Sequence, residues 1–175
     1  MSDDLKNLYA AAGRIADYFD TKVPQDLFRG QRRTEVRQGV PVLQPNPGFR
    51  RKDGTVRPPD LLIVEVDGRK VVKGCRTLEG FHRGISTFDR PNPELPSMSW
   101  FRLPAGTVLP EALAITREST FTNRANHFTI APKDDMALDL FLVCLNALSR
   151  QITSEDRAAT PPSKPSSSPG KGIKS

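Results

Sequence analysis

The segment Gly80–Arg90, GFHRGISTFDR, gathers groups that could do chemistry. One histidine, two arginines, an aspartate and the adjacent Ser86 and Thr87 surround only three large apolar residues, Phe81, Ile85 and Phe88. Such a stretch suits either a turn between two strands or one wall of a polar pocket. Neighbours on a strand point to opposite faces. One hydroxyl can therefore face a cleft while an apolar neighbour meets the core. A hydroxyl so placed can orient a ribose, an amide or a nearby acid. A Ser-Thr pair with no role fits the same pattern, because threonine is a good strand former.

Three other residues invite the same question. Arg29 follows Leu27 and Phe28 and precedes Gly30. An arginine at a strand end can grip phosphate or carboxylate through two parallel hydrogen bonds; a plain surface arginine is the alternative. Glu118, in TRES, suits stabilisation of a cationic transition state, or simple solvation at a strand end. His127 opens the segment HFTIAP, and His82 is the only other histidine. Their spacing supports no ribonuclease-like pair. Cys75 and Cys144 lie far apart with no Cys-x-x-Cys. They read as small apolar residues, so no metal site is expected. Walker, Gly-x-Gly-x-x-Gly, Gly-x-Ser-x-Gly and His-Glu-x-x-His motifs are absent, which disfavours ordinary kinases, Rossmann dehydrogenases, α/β hydrolases and zincins.

These residues need a scaffold. Leu5, Leu8, Ala12, Ile15 and Phe19 recur at helical spacing and predict an amphipathic helix over 4–19. DLFRG predicts a short strand, and residues 38–60, with five prolines, a long loop. LLIVEV and RKVV flank Asp67-Gly68, a strong hairpin signal. ISTFD, SWFRLP, ALAITRES and HFTIAP supply further strands. In KDDMALDLFLVCLNALSRQ, Leu138, Phe141, Leu142, Leu145 and Leu148 form one apolar face of a closing helix, with Asp134 or Asp135 as its cap. The expected class is α+β, with a bent, mainly antiparallel sheet or two packed sheets between an N-terminal and a C-terminal helix. Residues 1–151 form the domain. Residues 152–175 are rich in Ser, Pro, Lys and Gly and are expected to be a disordered tail.

The formal net charge of +6 favours anionic partners as a weak field effect. No long basic run marks a nucleic-acid arm. The acidic, polar opening MSDDLKNLYAAAG is unlike a signal peptide, and MALDLFLVCLNAL is too short to span a bilayer. A cytoplasmic protein without membrane association is expected, leaving the cell, if at all, by a route that needs no cleaved signal.

Five short segments resemble one family in the same order. Leu27-Phe28-Arg29 is similar to its Leu-Tyr-Arg, and Arg57-Pro58-Pro59-Asp60 to its Arg-Ala-Pro-Asp. Gly84-Ile85-Ser86-Thr87-Phe88-Asp89-Arg90 is similar to Gly-Thr-Ser-Val-Phe-Asp-Arg. Leu103–Pro110 and His127–Pro132 complete the match. The chain thus resembles the small type VI secretion effector toxins with an ADP-ribosyltransferase-like fold. The resemblance implies NAD as substrate, with Arg29 and Arg57 on its pyrophosphate. Ser86 and Thr87 would position nicotinamide or its ribose, and Ser86, His127 and Glu118 would form the catalytic group. It also implies a macromolecular target and a neutralising immunity protein of acidic character. Asn123 and Asn126 stand where a catalytic acid would be sought, and no Glu-x-Glu or Gln-x-Glu is present. A non-enzymatic toxin using the same cleft to block a partner is the alternative, and a nucleic-acid-acting toxin a third.

Overall fold

The computed structural model describes residues 5–7, 15–118 and 125–154. Its centre is a seven-stranded antiparallel sheet in the order β1-β9-β10-β7-β2-β8-β12. These strands are β1 (Ile15–Phe19), β2 (Leu27–Arg32), β7 (Ile85–Phe88), β8 (Met98–Leu103), β9 (Leu113–Glu118), β10 (His127–Pro132) and β12 (Thr153–Ser154). A second sheet joins β5 (Ile63–Val66), β6 (Arg69–Val72) and β11 (Met136–Ala137). A third is the hairpin of β3 (Phe49–Arg50) and β4 (Val56–Arg57). Two helices lie wholly within the described residues, the short α1 (Arg33–Arg37) and the closing α2 (Leu138–Ser149). The class is α+β with mainly antiparallel sheet.

The expected strands form because their apolar residues alternate against one core. By register, Leu27, Ile85, Leu103, Leu113, Ile115, Phe128 and Ile130 share one face of the large sheet. All are buried, and α2 adds Phe141, Leu145 and Leu148 to the same cluster. Each such side chain removed from water contributes about 1.5–3 kcal/mol. Asp67 and Gly68 both take left-handed backbone angles, with φ of 50° and 72°. That is the conformation a two-residue turn needs to match strand twist between β5 and β6.

Three expectations change. Of the helix predicted over 4–19, the described residues 5–7 are helical, and its end, IADYF, is strand β1 along β9. Residues 8–14 lie outside the described residues. A register shift between Ile15 and Asp17 puts Ile15 and Tyr18 on one face, so spacing that mimics a helix serves a bulged strand. The cap of α2 is Ala137, with no side-chain capping bond. Asp135 instead accepts bonds from the Gly74 amide (2.8 Å) and Lys73 Nζ (2.6 Å), tying the start of β11 to the end of β6. Leu142, expected in the core, is 38% exposed on α2 beside the loop from Pro41 to Pro47.

At the C-terminal end, Ile152 packs on the core and β12 pairs with Phe101 and Arg102. Sheet pairing therefore reaches Ser154. The tail from 155 onward lies outside the described residues.

Candidate active site

The large sheet has a second face, and most of the candidate residues stand on it. Ile85 and Thr87 point from β7 to the core, so Ser86 and Phe88 point the other way. His127 lies opposite Phe88 and Thr129 opposite Ser86 on β10. Glu118 ends β9 beside His127, and its Oε2 lies 3.0 Å from His127 Nδ1. The row continues from His127 to Phe88, whose rings are 5.4 Å apart, and from Phe88 to Trp100 in an edge-on pair at 6.3 Å. The Trp100 indole reaches over Gly30; a Cβ there would meet it at 3.1 Å, so the ring would have to shift slightly to admit one.

An acid and an imidazole thus stand at one end of an aromatic wall, with a hydroxyl on the neighbouring position. Both partners are partly exposed, at 23% for the imidazole and 31% for the carboxylate. A ligand can reach them from solvent. The clasp that aligns them is Asp89 with Asn126. Its carboxylate accepts from the Asn126 amide nitrogen at 3.0 Å and from Asn126 Nδ2 at 2.7 Å. The Asp89 amide returns a bond to the Asn126 carbonyl at 3.2 Å. This locks the ends of β7 and β10 together and holds His127 against Phe88.

Thr87 belongs elsewhere. It is 1% exposed, and its hydroxyl donates to the Phe128 carbonyl at 3.3 Å. Two neighbours on one strand cannot share a face, so the expectation that Thr87 meets a ligand beside Ser86 is corrected: Thr87 is sealed in the core.

Arg29 and Arg57 also take a different place. Arg29 shares the side of β2 that carries the buried Leu27 and Gln31, away from the Ser86 hydroxyl. β2 meets β7 in register at Phe28 opposite Phe88. Beyond that pair Arg29 enters the gap between the strands, and its Nη1 donates to the Ser86 carbonyl at 2.9 Å. Its Nη2 donates to the Gln44 carbonyl at 3.4 Å and lies 3.8 Å from Asp60. Arg57 reaches the other Asp60 oxygen at 3.3 Å. Asp60, with a side chain only 4% exposed, also accepts from the Asn46 amide at 2.9 Å. Burial pulls the Arg29 guanidinium below its ordinary value, and the Asp60 charge opposes that pull. The two arginines are therefore joined through one buried carboxylate that fastens the 44–60 loop to the sheet. Removing a single member of such a group leaves a buried charge uncompensated.

The sequence profile of the Tse2 ADP-ribosyltransferase toxin family matches residues 6–157. The chain belongs to this family. Comparison with curated protein sequences finds no match. The family match spans every element of the fold, from the first helical turn to β12. The polar face of the large sheet carries the candidate site of this toxin-family domain. Sequence reasoning named Ser86, His127 and Glu118, which stand on that face, but missed Phe88 and Trp100 as its wall, Asp89 as its clasp and Asp60 as the anchor of Arg29. Asp89 and Asn126 had one readable signal, since each directly flanks a strand as a residue able to hydrogen-bond backbone. Asn123 lies outside the described residues.

Proposed function

We propose that this chain is an NAD-dependent ADP-ribosyltransferase toxin that acts in the cytosol of a target cell. The observation that carries this reading is the Glu118–His127 pair at 3.0 Å, on the same sheet face as Ser86 and beside the Phe88–Trp100 wall. The residues there fit the parts of NAD. Phe88 and Trp100 offer apolar surface to the nicotinamide ring, and Ser86 a hydrogen bond to its amide or ribose. Glu118 takes the part of the acid that the missing Glu-x-Glu would supply.

In the reaction, the glycosidic bond to nicotinamide breaks with both electrons passing to the ring nitrogen. Nicotinamide leaves neutral, and positive charge develops on ribose C1′ and its ring oxygen. The Glu118 carboxylate faces that charge, and His127 fixes the carboxylate so that no reorganisation is needed as the charge grows. A lone pair of the acceptor then forms the new bond to C1′, and the acceptor proton is lost to solvent. Arg29 acts here as a positioning residue, through the Ser86 carbonyl. Arg57, the more exposed of the two arginines, would be the one to meet a pyrophosphate at the loop edge. An acidic immunity protein would neutralise the toxin by covering this face.

The test is nicotinamide release from NAD by the purified chain, with Glu118→Gln beside it. The variant keeps shape and removes charge, so turnover is expected to fall roughly 100-fold or more with NAD affinity little changed. A chain that kills cells on expression yet releases no nicotinamide would sink the enzymatic reading in favour of a toxin that blocks a partner.

A further inference from the structure

The net charge of the chain is not spread over it. Residues 29–57 hold eight arginines and lysines against two acids, an excess of six, and the whole chain holds 26 against 20, the same excess. Everything outside this segment balances to zero. Among the described residues, ion pairs are denser in the body. In the body, Lys73 pairs with Glu79 and Asp135, Arg76 with Asp20 and Asp134, Arg102 with Asp26, Arg117 with Asp17, and Lys133 with Asp20. In the segment, Arg29 and Arg57 pair with Asp60. The other six, Arg32, Arg33, Arg37, Arg50, Arg51 and Lys52, are exposed, and none forms an ion pair among the described residues.

Tertiary structure collects these six from two stretches of chain. Arg32 ends β2 and opens directly into α1, which carries Arg33 and Arg37. The Arg32 guanidinium also lies 5.9 Å from the centre of the Phe49 ring on β3, joining α1 to the hairpin whose turn carries Arg51 and Lys52. Phe49 is itself exposed among the cations. The shoulder so formed adjoins the candidate site. On the face of β2 and β8 that bears Gly30 and Trp100, the next pair outward is Arg32 and Met98.

We propose that α1 and the β3–β4 hairpin form a docking surface for nucleic acid. Six unpaired cations, five of them arginines, suit a line of phosphates, which guanidinium groups bind bidentately. An exposed aromatic ring between the cations gives a base a face to stack on, a feature an acidic peptide would not use. The inference stands apart from NAD turnover, because docking needs neither NAD nor Glu118.

The experiment is an anisotropy titration of the full chain with a short fluorescent single-stranded DNA oligonucleotide, without NAD, over a range of salt. Six phosphate contacts to a single strand give a slope of log affinity on log salt of about −4. Arg51→Glu with Lys52→Glu is expected to weaken binding roughly tenfold or more and to flatten that slope by about 1 to 1.5. Arg69→Glu with Lys70→Glu on β6 lowers the net charge equally and is expected to leave affinity within about twofold of the parent. Arg51→Gln with Lys52→Gln supplies a milder neutralisation should the reversal disturb the hairpin, with an intermediate loss. Absence of binding at low salt, equal weakening by the hairpin and β6 pairs, or competition by polyglutamate as strong as by unlabelled oligonucleotide would each overturn the proposal.

Discussion

The two faces of the seven-stranded sheet divide the work of the molecule. On strand β7 the division runs residue by residue: Ile85 and Thr87 are sealed against the core, and Ser86 and Phe88 face the candidate site. The core face is closed by α2 and holds its polar groups by internal bonds, as Thr87 does with the Phe128 carbonyl. The other face keeps an acid, an imidazole, a hydroxyl and two aromatic rings within reach of solvent. The difference teaches that one strand can serve stability and chemistry together, because alternation lets each be changed with little effect on the other.

That separation can be broken most forcefully from the core side. Phe141→Ala, which empties a fully buried site on α2, is expected to cost about 3–5 kcal/mol in urea unfolding. Leu142→Ala, one residue on and partly exposed, is expected to cost below about 1 kcal/mol. Equal costs would mean that α2 docks by another face. Next in size is the pair on β7. Ser86→Ala is expected to lower NAD turnover about tenfold or more while the melting temperature holds. Thr87→Ala is expected to do the reverse, losing about 1 kcal/mol of stability with turnover retained. Turnover that responds to Thr87 but not to Ser86 would exchange the faces assigned here.

The smallest expected effect lies at the β6–β11 junction. Burial opposes ionisation of Asp135, but bonds from Lys73 and the Gly74 amide and the Lys73 charge outweigh it and hold the carboxyl below its ordinary value. A carboxyl with a lower pKa folded than unfolded stabilises above the unfolded value, about 3.9, and loses that contribution as pH falls through the folded one. Asp135→Asn is therefore expected to cost under about 1 kcal/mol at neutral pH, given its exposure. The gap between the two proteins should close as pH falls through the lowered folded value. A gap that widens in acid would show that the carboxylate is not the stabilising form.

Much of the scaffold was legible because it rests on local rules. The Asp67-Gly68 hairpin, the strands ISTF, SWFRL and HFTIAP and the closing helix all follow from alternation, helical period and turn residues. The first strand was not, since Leu5, Leu8, Ala12, Ile15 and Phe19 satisfy a helical period and only pairing with β9 makes IADYF extended. At the site, residue type was enough to single out Ser86, Glu118 and His127. It was not enough to place Arg29, whose bidentate chemistry suits a phosphate and a buried carboxylate equally.

The sequence by itself determined which residues could be buried and which could react, because side-chain chemistry and period travel with the chain. Only the tertiary structure decided what they meet. It set Glu118 against His127 across nine positions of sequence, through the antiparallel register of β9 and β10. It turned Arg29 and Arg57 onto Asp60, since a buried guanidinium must find a counter-charge. It also gathered Arg32 and the hairpin cations into one shoulder that no run of basic residues announces. Contacts of this kind depend on where remote segments are brought together, and that is settled by the packing of the shared core rather than by any local pattern.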